Sequence, residues 1–185
     1  MQQKMITLKE IKNQYIAVSA SYYFFLFSLE GFYQIKQVET LKSIYCILPI
    51  RETQLLLGQR TGFLQKFDLN KRAITSTMQL AGKSDVNDML IPLEDSQQIA
   101  MATDQGVRFL LQNLGKLEFI QHEAYFKDKR IKCLKQFREN MYCLTYDRQK
   151  FKLFDSTVIA GIIDRSKKIT KVVKRVNNME GLQHQ

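Results

Sequence analysis

Short apolar runs alternate with clusters of turn-forming residues along most of the chain, and this punctuation predicts strands rather than helices. Ile6 to Glu10, Gln14 to Ala20 and Tyr22 to Leu29 (YYFFLFSL) read as the first three, because aromatic and β-branched residues in runs of this length fit a pleated, half-buried surface. Gly31 breaks the third run. Phe32 to Val38 then sets Phe32, Gln34 and Lys36 against Tyr33, Ile35 and Gln37, the alternation of a fourth strand.

The same order recurs. From Ile44 the chain reads SIYCILPI, a turn at Arg51-Glu52-Thr53, LLLGQ, a turn at Arg60-Thr61-Gly62, FLQKFDL, a turn at Asn70-Lys71 and AITSTMQL. From Val86 it reads VNDMLIPL, a turn at Glu94-Asp95-Ser96, QIAMAT, a turn at Asp104-Gln105-Gly106, VRFLLQ, a turn near Gly115 and LEFIQHEA. A further copy opens at Ile131 with IKCLKQF, MYCLTY, FKLFD and TVIAGII, its turns at Arg138-Glu139-Asn140 and Asp147-Arg148-Gln149. Pro49 and Pro92 are 43 apart and Gly62 and Gly106 are 44 apart. By this count Cys46, Met89 and Cys133 are expected to hold one place in their units, Phe63, Val107 and Phe151 another, and Phe67-Asp68 matches Phe154-Asp155.

A repeat of about 40–45 residues carrying four short strands is the period of a β-propeller blade. On this evidence the chain resembles a degenerate WD-repeat β-propeller, with QLLLGQRTGFLQKFDL (Gln54–Leu69) and IAMATDQGVRFLL similar to the second and third strands of that family's blades. The chain has no Trp, no Gly-His opens a blade, and Phe-Asp or Leu-Gln stands where the family has Trp-Asp; kelch-like and other propellers share the period. The expected fold is all-β: a propeller-like array of four-stranded antiparallel blades at about residues 5–42, 43–84, 85–129 and 130–165. An open row of four leaves apolar faces bare at both ends. The expectation is therefore part of a larger ring completed by further chain or another subunit, with a closed four-blade ring and a β-sandwich as alternatives.

Residues 166–185 break the pattern. Ile169, Val172, Val173, Val176 and Met179 fall at the spacing of one helix face, with Ser166 and Gly181 as caps. Four of these five are β-branched, and the count of repeats calls for a further blade's first strand here. The segment is expected to be a short amphipathic helix or that strand, followed by a frayed tail.

Composition narrows the function more than the fold. The 185 residues are 45% hydrophobic and carry a formal net charge of +10, and the charge is segregated. Residues 1–125 hold 13 Lys/Arg against 12 Asp/Glu, whereas residues 126–176 hold 15 against 5. A field of this kind attracts acidic protein surfaces, phosphate backbones or anionic lipid, although a solvated face that confers solubility has the same composition. The contact surface is expected at Lys132, Lys150, Lys152, Lys171, Lys174 and Arg175, with acidic proteins as partners and nucleic acid as the alternative.

Candidate chemistry is sparse. Three cysteines without Cys-x-x-Cys spacing suit a reducing, cytoplasmic compartment and strand cores. No apolar run approaches the roughly 20 residues of a spanning helix. Asp68, Asp104, Asp147 and Asp155 recur at turns or strand ends, which is turn chemistry and not an acid–base pair. With no nucleophile motif, no compact ligand pairs and only eight glycines, the expectation is a non-catalytic interaction scaffold, a subunit of a larger assembly, with no cofactor and no metal. The WD-type resemblance implies the same role.

Overall fold

The computed structural model describes residues 5–80, 82–91, 98–113, 116–119, 129–138, 141–146 and 150–155, with side chains at 7–80, 82–91, 98–110 and 129–135. The expected strand at 157–163 and the helix-or-strand segment at 166–185 lie outside them. The described chain is all-β. β1 (Met5–Ile11), β2 (Tyr15–Ala20), β3 (Tyr23–Ser28) and β4 (Gln34–Glu39) form one antiparallel sheet in sequence order. The second holds β5 (Ile44–Arg51), β6 (Gln54–Gln59), β7 (Phe63–Asp68) and β8 (Ala73–Gln79). The third holds β9 (Val86–Leu90), β10 (Gln98–Thr103), β11 (Gly106–Asn113) and β12 (Lys116–Phe119), and the fourth β13 (Ile131–Arg138), β14 (Met141–Tyr146) and β15 (Lys150–Asp155).

Each sheet is a simple meander, so every strand pairs with its neighbour in sequence and the long-range work is done between sheets. The opening strands stack in series: β1 lies against β5, β5 against β9 and β9 against β13. Two apolar layers fill the first two gaps. Ala17, Phe24 and Leu26 of the first sheet meet Leu55, Leu57 and Phe67 of the second, with the Phe24 and Phe67 rings 4.7 Å apart and tilted by 52°. Cys46, Leu56 and Leu64 on the other face of the second sheet meet Val86, Met89, Ile99, Met101 and Leu110 of the third. β6 and β10 are consequently apolar on both faces, and an unbroken LLL run replaces the alternation of a half-exposed strand.

The repeat is visible in the register. One extra residue is inserted near the start of each opening strand, at Ile6, Tyr45, Asn87 and Lys132, and in every case it opposes the end of the second strand. Strand pairing also corrects two of the matches expected from the sequence. Cys46 pairs with Gly58, Asp88 with Ala102 and Cys133 with Thr145, so Asp88, one before Met89, holds the cysteine position. Leu64 and not Phe63 is equivalent to Val107 and Phe151, because the β6–β7 turn has three residues where the β10–β11 turn has two. The Phe67-Asp68 and Phe154-Asp155 match holds, each pair lying opposite the start of the second strand.

That three-residue turn, Arg60–Gly62, needs its glycine. Thr61 has φ 57° and Gly62 φ 77°, and a Cβ on Gly62 would sit 3.0 Å from Leu80 Cβ and 3.1 Å from the Ser84 carbonyl oxygen. A buried polar relay braces the second sheet beside it. The Lys42 N–H donates to Gln59 Oε1 at 3.0 Å, Gln59 Nε2 to Gln65 Oε1 at 2.6 Å, and Gln65 Nε2 to Thr77 Oγ1 at 3.2 Å. The relay satisfies two glutamines that would otherwise be costly inside a strand stack.

Among the described residues no helix is long and apolar enough to cross a membrane.

Candidate interaction surface

The four inserted residues lie at one rim of the sheets, the rim that also carries the turns between second and third strands. A bulge re-aims its side chain out of the regular alternation, and at this rim Asn87 and Lys132 meet the acid of the β10–β11 turn. Asp104, in the β10–β11 turn, is the hub. Its Oδ1 accepts from Asn87 Nδ2 at 2.8 Å and from Arg130 Nε at 2.7 Å, and lies 3.8 Å from Lys132 Nζ. Asn87 Nδ2 also donates to the Ile131 carbonyl at 2.8 Å, which ties the third sheet to the start of the fourth.

A second carboxylate repeats the logic deeper in the same gap. Asp88 Oδ2 accepts the backbone N–H of Leu134 at 3.0 Å and stands 3.7 Å from Lys135 Nζ. Between the second and third sheets, Asp85 Oδ1 accepts the Thr61 N–H at 2.7 Å and so holds the Arg60–Gly62 turn. Tyr45, the inserted residue of β5, feels the same charges. Burial first, and then Asp85 and Asp104, raise its hydroxyl above the ordinary 10.0, against the opposing pull of Arg60 and Arg130.

Of the expected contact residues, Lys132 is exposed at this rim and faces Asp104. Lys150 pairs with Tyr146 and therefore sits at the same end of the fourth sheet. Lys152 pairs with Leu144, two residues inward, at the register position that Gln65 holds in the second sheet. Lys171, Lys174 and Arg175 lie outside the described residues. The structure thus gathers Arg130, Lys132 and Lys150 at one rim, with Lys129 and Lys135 exposed nearby on the same segment. Part of that charge is spent internally on Asp88 and Asp104. Both ion pairs at Asp104 are open to solvent, a setting in which such pairs contribute only about 0–1 kcal/mol, so Arg130 and Lys132 can exchange Asp104 for an outside anion at little cost.

Asp88 is the residue that sequence reading missed. Within VNDMLIPL it looks like one polar residue of an alternating strand; aligned on the bulge, it is the single acid where two other units have cysteine. Its backbone acceptor role predicts a contrast between variants. Asp88→Ala is expected to destabilise by about 1–3 kcal/mol in urea denaturation, since it strips the buried Leu134 N–H of its acceptor, and Asp88→Asn by less than about 1 kcal/mol, since an amide oxygen can still accept.

Cys46 is a core residue. Its thiol donates to the Val86 carbonyl at 3.5 Å, and burial, ahead of the nearby Asp88 carboxylate, pushes it well above the usual 9.0. A raised thiol stays neutral when folded, which is the opposite of what a nucleophile or metal ligand needs. Among the described residues, no three of His, Cys, Asp and Glu are grouped to hold a metal ion.

No family model and no curated protein matches the chain. The site therefore stands on its own geometry. At the opposite rim an open groove of about 620 Å³ lies between the first two sheets, lined by Asn13, Gln14, Glu30, Tyr33 and, from the second sheet, Arg72. Phe32 beside it is 78% exposed and has φ 50°. The groove offers scattered hydrogen-bonding groups, whereas the bulge rim offers an organised, charged one.

Proposed function

We propose that this chain is a set of propeller-type blades that serves as a non-catalytic protein–protein interaction scaffold within a larger intracellular assembly, presenting the basic rim of its fourth blade to acidic partners. The observation that carries the reading is the fourfold bulge. Four meanders with an insertion at the same place, their opening strands stacked in series, support a reading as successive copies of one blade unit. The WD-type resemblance of the sequence supports the same interpretation, and rigid blades with exposed rims suit a scaffold better than a pocket enzyme.

At the rim, Arg130 and Lys132 are exposed cations held in place by one carboxylate. Pre-positioning lowers the entropy an incoming acidic side chain must overcome. Charge reversal to Glu at Lys132, Lys150, Lys152, Lys171, Lys174 and Arg175 is expected to abolish capture of acidic partners in pull-downs while far-UV circular dichroism stays unchanged. Capture that survives all six reversals overturns the assignment. Salt titration of the wild-type chain with a single-stranded RNA probe separates the partner classes: a steep log–log slope set by several neutralised phosphates would transfer the rim from protein to nucleic acid.

A further inference from the structure

Each sheet after the first buries one face against the sheet before it, and the register shows which residues do so. Ile47, Met89 and Leu134 follow the inserted residue by two places in β5, β9 and β13, and each pairs across to the second strand. They are 7%, 6% and 1% exposed. Leu8 holds the same position in β1, opposite Val18, and is 54% exposed. Its neighbours on that face are apolar too: Ile16, Val18, Phe25 and Phe27, only half-buried, stand where Leu55, Leu57, Gln65 and Phe67 are buried in the second sheet. The first sheet is thus built to receive a preceding sheet. Among the described residues the series of opening strands runs from β1 to β13 with no comparable contact between its ends.

The register also identifies what fits the bare face. In the gap between the first two sheets, the surface presented forward includes Ala17, Phe24 and Leu26, with Ile11, Tyr15, Ile35 and Val38 packed beside them. Cys143, Phe151 and Leu153 occupy the corresponding register positions in β14 and β15. At these three positions the fourth sheet carries one small and two large apolar residues, as the first sheet does toward the second.

We propose that two copies of this chain close head to tail, the bare face of each first sheet packing on the forward face of its partner's fourth sheet, to form one eight-sheet ring. The inference rests on the blade reading of the preceding subsection. Head-to-tail contacts that close by a two-fold rotation give a finite assembly, with both end faces of both copies covered. Eight sheets also fall within the four to eight blades that propellers use, and closure continues the packing of the internal gaps without a new kind of interface.

The test is the mass in solution, by sedimentation velocity and light scattering of the full chain at micromolar concentration. The expected result is a species of twice 21.7 kDa that Leu8→Glu converts to one of half the mass, with an unchanged far-UV spectrum because Leu8 is already exposed in the single chain. Direction is read by cross-linking. Val18→Cys is expected to form a disulfide with Cys143 of the partner subunit under mild oxidation, since their equivalents Leu57 and Ala17 share one core; the same variant carrying Cys143→Ala should not cross-link. A folded monomer overturns the dimer and leaves the blade reading intact. A dimer linked through Val18→Cys on both copies overturns the head-to-tail ring, and scattering by a dimer without a ring's central hole overturns both.

Discussion

Phe67→Ala is expected to lose about 3–5 kcal/mol of unfolding free energy, the range for removing a fully buried phenyl ring. Phe67 is completely inaccessible, packs at a tilt against Phe24 from the first sheet and shares its cluster with Ile11, Leu26 and Leu55. Because the meanders hold their own strands together, what the ring supports is the junction between sheets. Two features of the experiment follow. Urea denaturation followed by circular dichroism should shift to lower midpoint, and limited proteolysis should cut the β1–β4 unit free earlier than the rest. Phe67→Leu, which keeps most of the volume, should cost clearly less. A Phe67→Ala protein with an unchanged midpoint would mean that the first sheet does not dock on the second through this cluster.

The second large effect is expected from the opposite kind of change. Gly58 lies on β6 facing the third sheet, and a Cβ there would collide with Cys46 Sγ, come within 2.8 Å of Val86 Cγ1 and within 3.2 Å of Met89 Cε. Gly58→Val adds two methyl groups beyond that Cβ. The expected destabilisation is about 3 kcal/mol, at the upper end of overpacking costs, because Cys46 and Met89 are both buried and have nowhere to retreat. Met89→Ala in the same chain should recover part of the loss by opening space, a non-additivity that thermal melts of the two single variants and the double variant would measure. Simple additivity would place the strain elsewhere. Gly58 is not a turn glycine; its need arises from Cys46 on the neighbouring strand together with Val86 and Met89 of the sheet that lies against it.

The strand order was written plainly in the chain. Turn clusters such as Arg51-Glu52-Thr53 and Asn70-Lys71 bracket apolar runs whose ends agree with β5 to β8 within a residue or two, because turn chemistry and strand pattern are local and act on the same few bonds. The repeat was legible for the same reason. Its fine alignment was not: strand pairing puts Asp88 and Leu64 where spacing alone points to Met89 and Phe63, since a bulge and a longer turn alter spacing without altering composition.

The site was legible only as charge. Fifteen cations between residues 126 and 176 announce a basic segment, but nothing in their spacing reveals that Arg130 and Lys132 share Asp104, some 26 residues upstream of Arg130, or that Asp88 takes the Leu134 N–H across a sheet gap. Those partners are set by how sheets stack, a long-range outcome of burying two-sided apolar strands.

The sequence by itself determined the all-β class, the four successive units and the position of nearly every described turn, because each depends on contacts between residues close along the chain. Only the tertiary structure decided which acids meet which bases, which glycine cannot carry a side chain and which apolar face is left bare at Leu8. All three depend on how strands and sheets come to lie against one another, and no local pattern encodes the distance between them.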